Sequence, residues 1–157
     1  MGGIRATIGS SYRRHGVYSR KLDRLNRLPL HTAFIREGSV PQYSTREAMW
    51  SAVAERCPGP IDYLEFGVHR GHSILTWTTL NTDAASRFVG FDTFTGLPET
   101  WNDAHPKEHF TTGGRVPETH DERVGFEVGL FQDTLGPFLD RFRTTGRQLV
   151  VHVDCDL

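Results

Sequence analysis

Residues Tyr63 to Ser73 read Tyr-Leu-Glu-Phe-Gly-Val-His-Arg-Gly-His-Ser, and this stretch constrains the fold more than any other. A short apolar run, Ile61 to Phe66, breaks into a turn carrying Gly67 and Gly71, and a helical segment from Ser73 to Leu80 follows at once. A glycine turn between a strand and a helix gathers bare backbone N–H groups and the positive end of a helix at one point. In open α/β sheets that point is where nucleotide-like ligands sit. Glu65 adds a second constraint. A carboxylate at the strand end repels phosphate and attracts hydroxyl donors or a cation. The spacing Gly-x-Gly-x-x-Gly of a dinucleotide fold is absent, because Val68 and His69 follow Gly67, and Gly71-His72-Ser73 lacks the lysine of a phosphate loop. A nucleotide-binding oxidoreductase is therefore disfavoured. The expected ligand carries a ribose and a cation but no pyrophosphate, as S-adenosylmethionine does.

The rest of the chain repeats this alternation. Ser44-Thr45-Arg46-Glu47 reads as a capping box opening a helix through about Arg56, with Ala48, Met49, Ala52 and Val53 inward. Strands are expected at Ile61–Phe66, Arg87–Phe91, Gly125–Leu130 and Gln148–Val153. Helices are expected at Ser73–Leu80 and around Thr134–Phe142. The run Leu149-Val150-Val151-His152-Val153 suits a strand buried on both faces. Strands alternating with helices imply an α/β fold with a doubly wound, Rossmann-like, mostly parallel sheet. The segment Asp92 to Arg123, with Gly96, Pro98, Pro106, Gly113, Gly114 and Pro117, is polar and long, which suggests a lid or substrate loop.

Three acids fall at expected strand ends: Glu65, Asp92 and Asp154. Asp92 suits the two hydroxyls of a ribose, with a turn aspartate as the plainer reading. Asp154 and Asp156 alternate on an extended segment and so point the same way. Such a pair suits a divalent metal and a general base, or it is simply two solvated loop acids. His105, His109 and His120 match no regular metal-ligand spacing and read as surface histidines. His69 and His72 flank the turn, where packing is as good an explanation as ligand contact.

Composition narrows the classes further. The chain has 157 residues, the length of one domain, with 18 basic and 19 acidic residues. That balance makes no bulk case for nucleic acid. Arg5 to Arg27 is nonetheless basic, holding seven arginines and lysines against Asp23, and reads as a solvated extension with a helix around Tyr18–Arg27. No apolar run reaches membrane-spanning length. Two distant cysteines, Cys57 and Cys155, are expected as reduced thiols in a cytoplasmic protein.

Four segments together carry a family resemblance: Leu64 to Ser73, Gly90-Phe91-Asp92-Thr93-Phe94-Thr95-Gly96-Leu97-Pro98-Glu99-Thr100-Trp101, Gly129 to Leu135, and Val153-Asp154-Cys155-Asp156-Leu157. The chain resembles the macrocin O-methyltransferase family over residues 44–157, with 1–43 as an N-terminal extension. These are S-adenosylmethionine-dependent enzymes acting largely on sugar hydroxyls of natural products. The resemblance implies that Glu65, Gly67, Gly71 and Ser73 line the methionine side of the cofactor, that Asp92 holds the ribose, and that Gln132 lies near the adenine. It further implies that Asp154 is a magnesium (Mg2+) ligand and Asp156 the base that takes the hydroxyl proton from a small-molecule acceptor, with no role for nucleic acid or membrane. In the family, further strands and an acidic pair follow the Asp-x-Asp-Leu segment. The resemblance thus implies a cofactor-binding half of about four strands, a fragment in which strand four is an open apolar edge that leaves room for a homo-oligomer. The alternative expectation is a non-catalytic, truncated Rossmann-like binding module.

Overall fold

A computed structural model describes residues 41–155. The expected helix at Tyr18–Arg27, together with Asp156 and Leu157, lies outside these residues. The chain divides between Met49 and Trp50, and every strand belongs to the second unit. The elements are α1 (Arg46–Ala54), β1 (Ile61–Phe66), α2 (His72–Leu80), β2 (Arg87–Asp92), β3 (Val124–Val128), α3 (Phe131–Arg141) and β4 (Gln148–Val153).

The N-terminus of α1 is held by Thr45, whose hydroxyl accepts the Ala48 N–H at 3.1 Å, one residue later than the Ser44 box expected. The inward face also differs. Met49 and Val53 are exposed, and Trp50 is the buried residue of the helix. In so short a helix one large indole outweighs several smaller apolar side chains, so burying Trp50 sets the rotation.

The four strands form one parallel sheet in the order β3-β2-β1-β4. Register places Phe66 opposite Phe91, Glu65 opposite His152, and Asp92 opposite Val128. All C-terminal strand ends therefore share one rim. The order reverses between β1 and β4, and in open α/β sheets ligands bind outside the strand ends at such a switch point.

Helices cover both faces, so the sheet is doubly wound as expected. On one face Ile61, Tyr63 and Phe88 pack with Ile74 and Trp77 of α2, and with Trp50. Removing the fully buried Phe88 side chain would cost about 3–5 kcal/mol through lost transfer energy and the cavity left behind. On the other face Leu64 and Phe91 meet Phe138 of α3, with the Phe91 and Phe138 rings edge to face at 5.0 Å.

Strand β4 has the expected limits but not the expected burial. It lies at the edge of the sheet, and Leu149, Val151 and Val153 are each about half exposed or more. Only its alternate residues, Val150 and His152, turn toward packed neighbours. Helix α3 packs over β2 and β3, and so leaves the β4 side of its face uncovered.

The segment from Thr93 to Arg123 contains no helix or strand, apart from an isolated bridge between Asn102 and His105. It is less polar in effect than its composition suggests. Phe94 is fully buried in the main core and Leu97 is nearly so. Its far end is held by Arg123, whose guanidinium donates to the Thr78, Asn81 and Asp83 carbonyls and lies over the Phe88 ring. The Thr78 and Asn81 carbonyls lie at the C-terminal end of α2, where a cation is favoured, and Asp83 lies just beyond it. None of the described helices is long and apolar enough to cross a membrane.

Candidate functional site

Gly67 ends β1 with φ +89°, a conformation that side chains resist. A Cβ placed there would come within 2.4 Å of the Asp154 carbonyl oxygen. Glycine is therefore required twice, for its φ and for the close approach of β4's end to the turn. Gly71, at φ +79°, caps α2 without a side-chain hydrogen bond, and a Cβ there would meet Pro117 at 2.7 Å. The turn is thus held between the end of β4 and residue 117.

Asp92 clamps the turn from the neighbouring strand. Its Oδ2 accepts the Val68 and His69 N–H groups at 2.8 Å each, and its Oδ1 accepts the Phe94 N–H at 2.8 Å. The plainer sequence reading, a turn aspartate, is realised. A carboxylate offers about four acceptor positions. Three are taken, so one is left for a ligand hydroxyl at a side chain that remains partly exposed.

Glu65 lies beneath the turn, sealed from solvent. Its Oε1 accepts the Ser73 hydroxyl at 2.7 Å, and its Oε2 accepts the Tyr63 hydroxyl at 2.5 Å and faces His152 Nδ1 at 3.2 Å. His152 Nδ1 also lies 2.8 Å from the Tyr63 oxygen. Because the tyrosine proton points to Glu65, a hydrogen on His152 Nδ1 satisfies both contacts, and this fixes the imidazole tautomer. Burial, then the charge of Glu65 and its hydrogen bond, push the Tyr63 hydroxyl far above its ordinary range. Glu65 therefore reaches the site through Ser73, at the start of α2, rather than directly. Sequence reasoning missed this network. Tyr63 and Glu65 visibly share a strand face, but His152 joins them only through the β1–β4 register.

The remaining expected residues are spread along the same rim. Gln132 is exposed in the first turn of α3, close after Gly129, whose N–H donates to the Asp92 carbonyl at 3.0 Å. Asp154 is exposed at the end of β4, where its N–H donates to the Phe66 carbonyl at 2.9 Å. Asp156 lies outside the described residues. Among the described residues no group of three or more His, Cys, Asp or Glu side chains could hold a metal ion. His105 and His109 instead belong to a run of ring contacts that includes Trp101 and Phe110. Phe110 in turn meets His69 edge to face at 5.7 Å. Desolvation, then neighbouring Arg70, lower the pKa of His69 against the opposing pull of Asp92.

Beside the turn a cleft of about 540 Å³ opens between His69 and Arg70 on one side and the segment 111–117 on the other. This is the size of a pocket for one small molecule.

No protein-family model matches this chain, and no curated protein matches it. Among solved structures it aligns with the crystal structure of CalS11, a calicheamicin methyltransferase, at 22% sequence identity and a TM-score of 0.46. The alignment covers 89% of this chain, which spans 66% of the length of that one.

Proposed function

We propose that the chain binds S-adenosylmethionine at the β1–β4 switch point and serves methyl transfer to a hydroxyl, with a sugar or natural product as acceptor. The observation that carries this reading is the glycine turn clamped by Asp92 at the rim of a parallel sheet, with one acceptor position of that carboxylate still open. That position suits a ribose hydroxyl. The turn's glycines allow close backbone approach, and no side chain caps the start of α2. The missing pyrophosphate spacing argues against a dinucleotide in the same place.

When bound, the cofactor supplies an electrophilic methyl on a sulfonium, so the protein's part is to position and to deprotonate. Asp92 fixes the turn and one ribose hydroxyl. Glu65 fixes Ser73 from below, and with it the first turn of α2. Magnesium finds no group of three or more His, Cys, Asp or Glu side chains to hold it among the described residues. Asp156, the base implied by the family resemblance, lies outside the described residues.

One observation favours a second reading. Both acids of the turn, buried Glu65 and half-buried Asp92, are largely satisfied by the protein itself, as in a binding module with no chemistry of its own. Calorimetry with S-adenosylhomocysteine, followed by a methyl-transfer assay, separates the two. Binding with turnover supports the methyltransferase, and binding without turnover supports the module. No binding to the folded chain sinks both.

A further inference from the structure

The cleft beside the turn has a composition the cofactor reading does not require. Arg70 and Arg115 both line it, and no carboxylate does. Neither arginine forms an ion pair among the described residues. Arg115 is anchored by its own loop, since its Nε–H donates to the Thr112 carbonyl at 3.3 Å, and this leaves both terminal nitrogens of the fork available. Two like charges facing one concavity repel each other unless a counter-charge enters. The backbone around the cleft is also strained. His69, which lines the cleft, holds a left-handed conformation uncommon for such a residue (φ 52°), as does Phe110 (φ 65°), whose ring meets it edge to face. Val116 and Pro117 supply an apolar wall.

We infer that this cleft is an anion subsite, in which Arg70 and Arg115 grip a carboxylate or phosphate whose apolar or ring-bearing body rests on Val116 and Pro117. Paired guanidinium forks suit a planar or tetrahedral oxyanion, and a hydrogen bond to a charged group is about twice as strong as a neutral one. The nearby Gly113 and Gly114 N–H groups are already bonded, to the Thr111 hydroxyl and the Phe94 carbonyl, so recognition falls to the side chains. The anion has two chemical sources. It is the amino-acid carboxylate of the bound cofactor, or a charged group on the acceptor. Only the first source rests on the function proposed above.

The test uses the whole chain, labelled with nitrogen-15, and its Arg70→Gln/Arg115→Gln double variant. Both arginines are exposed, so the variant is expected to fold, and its circular dichroism and melting curve check this. Benzoate, phenyl phosphate and neutral benzamide are titrated while the amide signals of residues 69–71 and 111–116 are followed. The two anions should move those signals and benzamide should not. The double variant should weaken the anions by about tenfold or more. Equal binding of benzamide, or no loss in the folded variant, overturns the inference. S-adenosylhomocysteine and 5′-methylthioadenosine, which lacks the amino-acid portion, then identify the source. If the variant weakens the first and not the second, the cofactor carboxylate is the anion. If benzoate still binds beside saturating S-adenosylhomocysteine, the anion belongs to the acceptor. If neither nucleoside binds while benzoate does, the cofactor reading fails and the anion subsite stands.

Discussion

Gly67→Ala is the sharpest probe of how the turn is built. At φ +89° an alanine pays about 1–2 kcal/mol for its left-handed backbone. The new Cβ would also lie 2.4 Å from the Asp154 oxygen, 2.9 Å from its carbonyl carbon and 3.1 Å from the Cys155 Cα. All three are backbone atoms, so no side chain can swing aside. Either β4's end or the turn must move, and overpacking of this kind costs about a further 1–3 kcal/mol. The expected total is about 2–5 kcal/mol. Gly113→Ala is the internal control. Its φ of +69° carries a similar conformational cost, but a Cβ there meets nothing within 4 Å. It should lose only about 1–2 kcal/mol. Urea unfolding followed by circular dichroism measures both. With a slope of about 1–3 kcal/mol per molar urea, Gly67→Ala should shift the midpoint clearly further than Gly113→Ala. Equal midpoints would show that β4 does not close over the turn.

Two further outcomes follow from buried polar groups. Tyr63 keeps its proton in the folded state at pH values where the unfolded chain releases it, because its folded pKa is raised. Its contribution to stability is therefore complete below about pH 10 and is lost as the pH rises beyond that. Tyr63→Phe should cost about 1–3 kcal/mol at neutral pH by stranding Glu65 and His152, and should make the alkaline decline of the unfolding midpoint shallower; parallel declines would refute the network. Arg123→Ala removes donors to three carbonyls at the end of α2 and should cost about 2–3 kcal/mol, with faster amide exchange near residues 78–83 and 119–123. Unchanged exchange there would mean that the long segment is held by Phe94 and Leu97 alone.

Much of the scaffold was readable from the chain because the signals were local. Pro58-Gly59-Pro60 before Ile61, and Gly67 after Phe66, bound β1 so tightly that its limits came out the same. The apolar run of β4 was equally plain. Its exposure was not, because an unbroken apolar run says that a strand has two apolar faces and not that both are covered. Helix α1 failed in its rotation because periodicity over nine residues is ambiguous, and a single tryptophan decides it. At the site, the glycines and Asp92 were visible from sequence. The use of Asp92 as a clamp on the Val68 and His69 N–H groups depends on β1 and β2 lying side by side. The Tyr63–Glu65–His152 network joins residues up to 89 positions apart, and the pairing of Arg70 with Arg115 across one cleft depends on the path of an irregular loop. Neither leaves a mark in local spacing.

In the proposed function the clamped turn holds the ribose of a sulfonium cofactor. Isothermal titration of the chain with S-adenosylhomocysteine, beside its Asp92→Ala variant, tests it most directly. The account predicts saturable one-to-one binding to the chain, weakened about tenfold or more in the variant, since the ribose contact and the hold on the turn are lost together. Absence of binding to the folded chain, or equal binding by a folded Asp92→Ala variant, would contradict it.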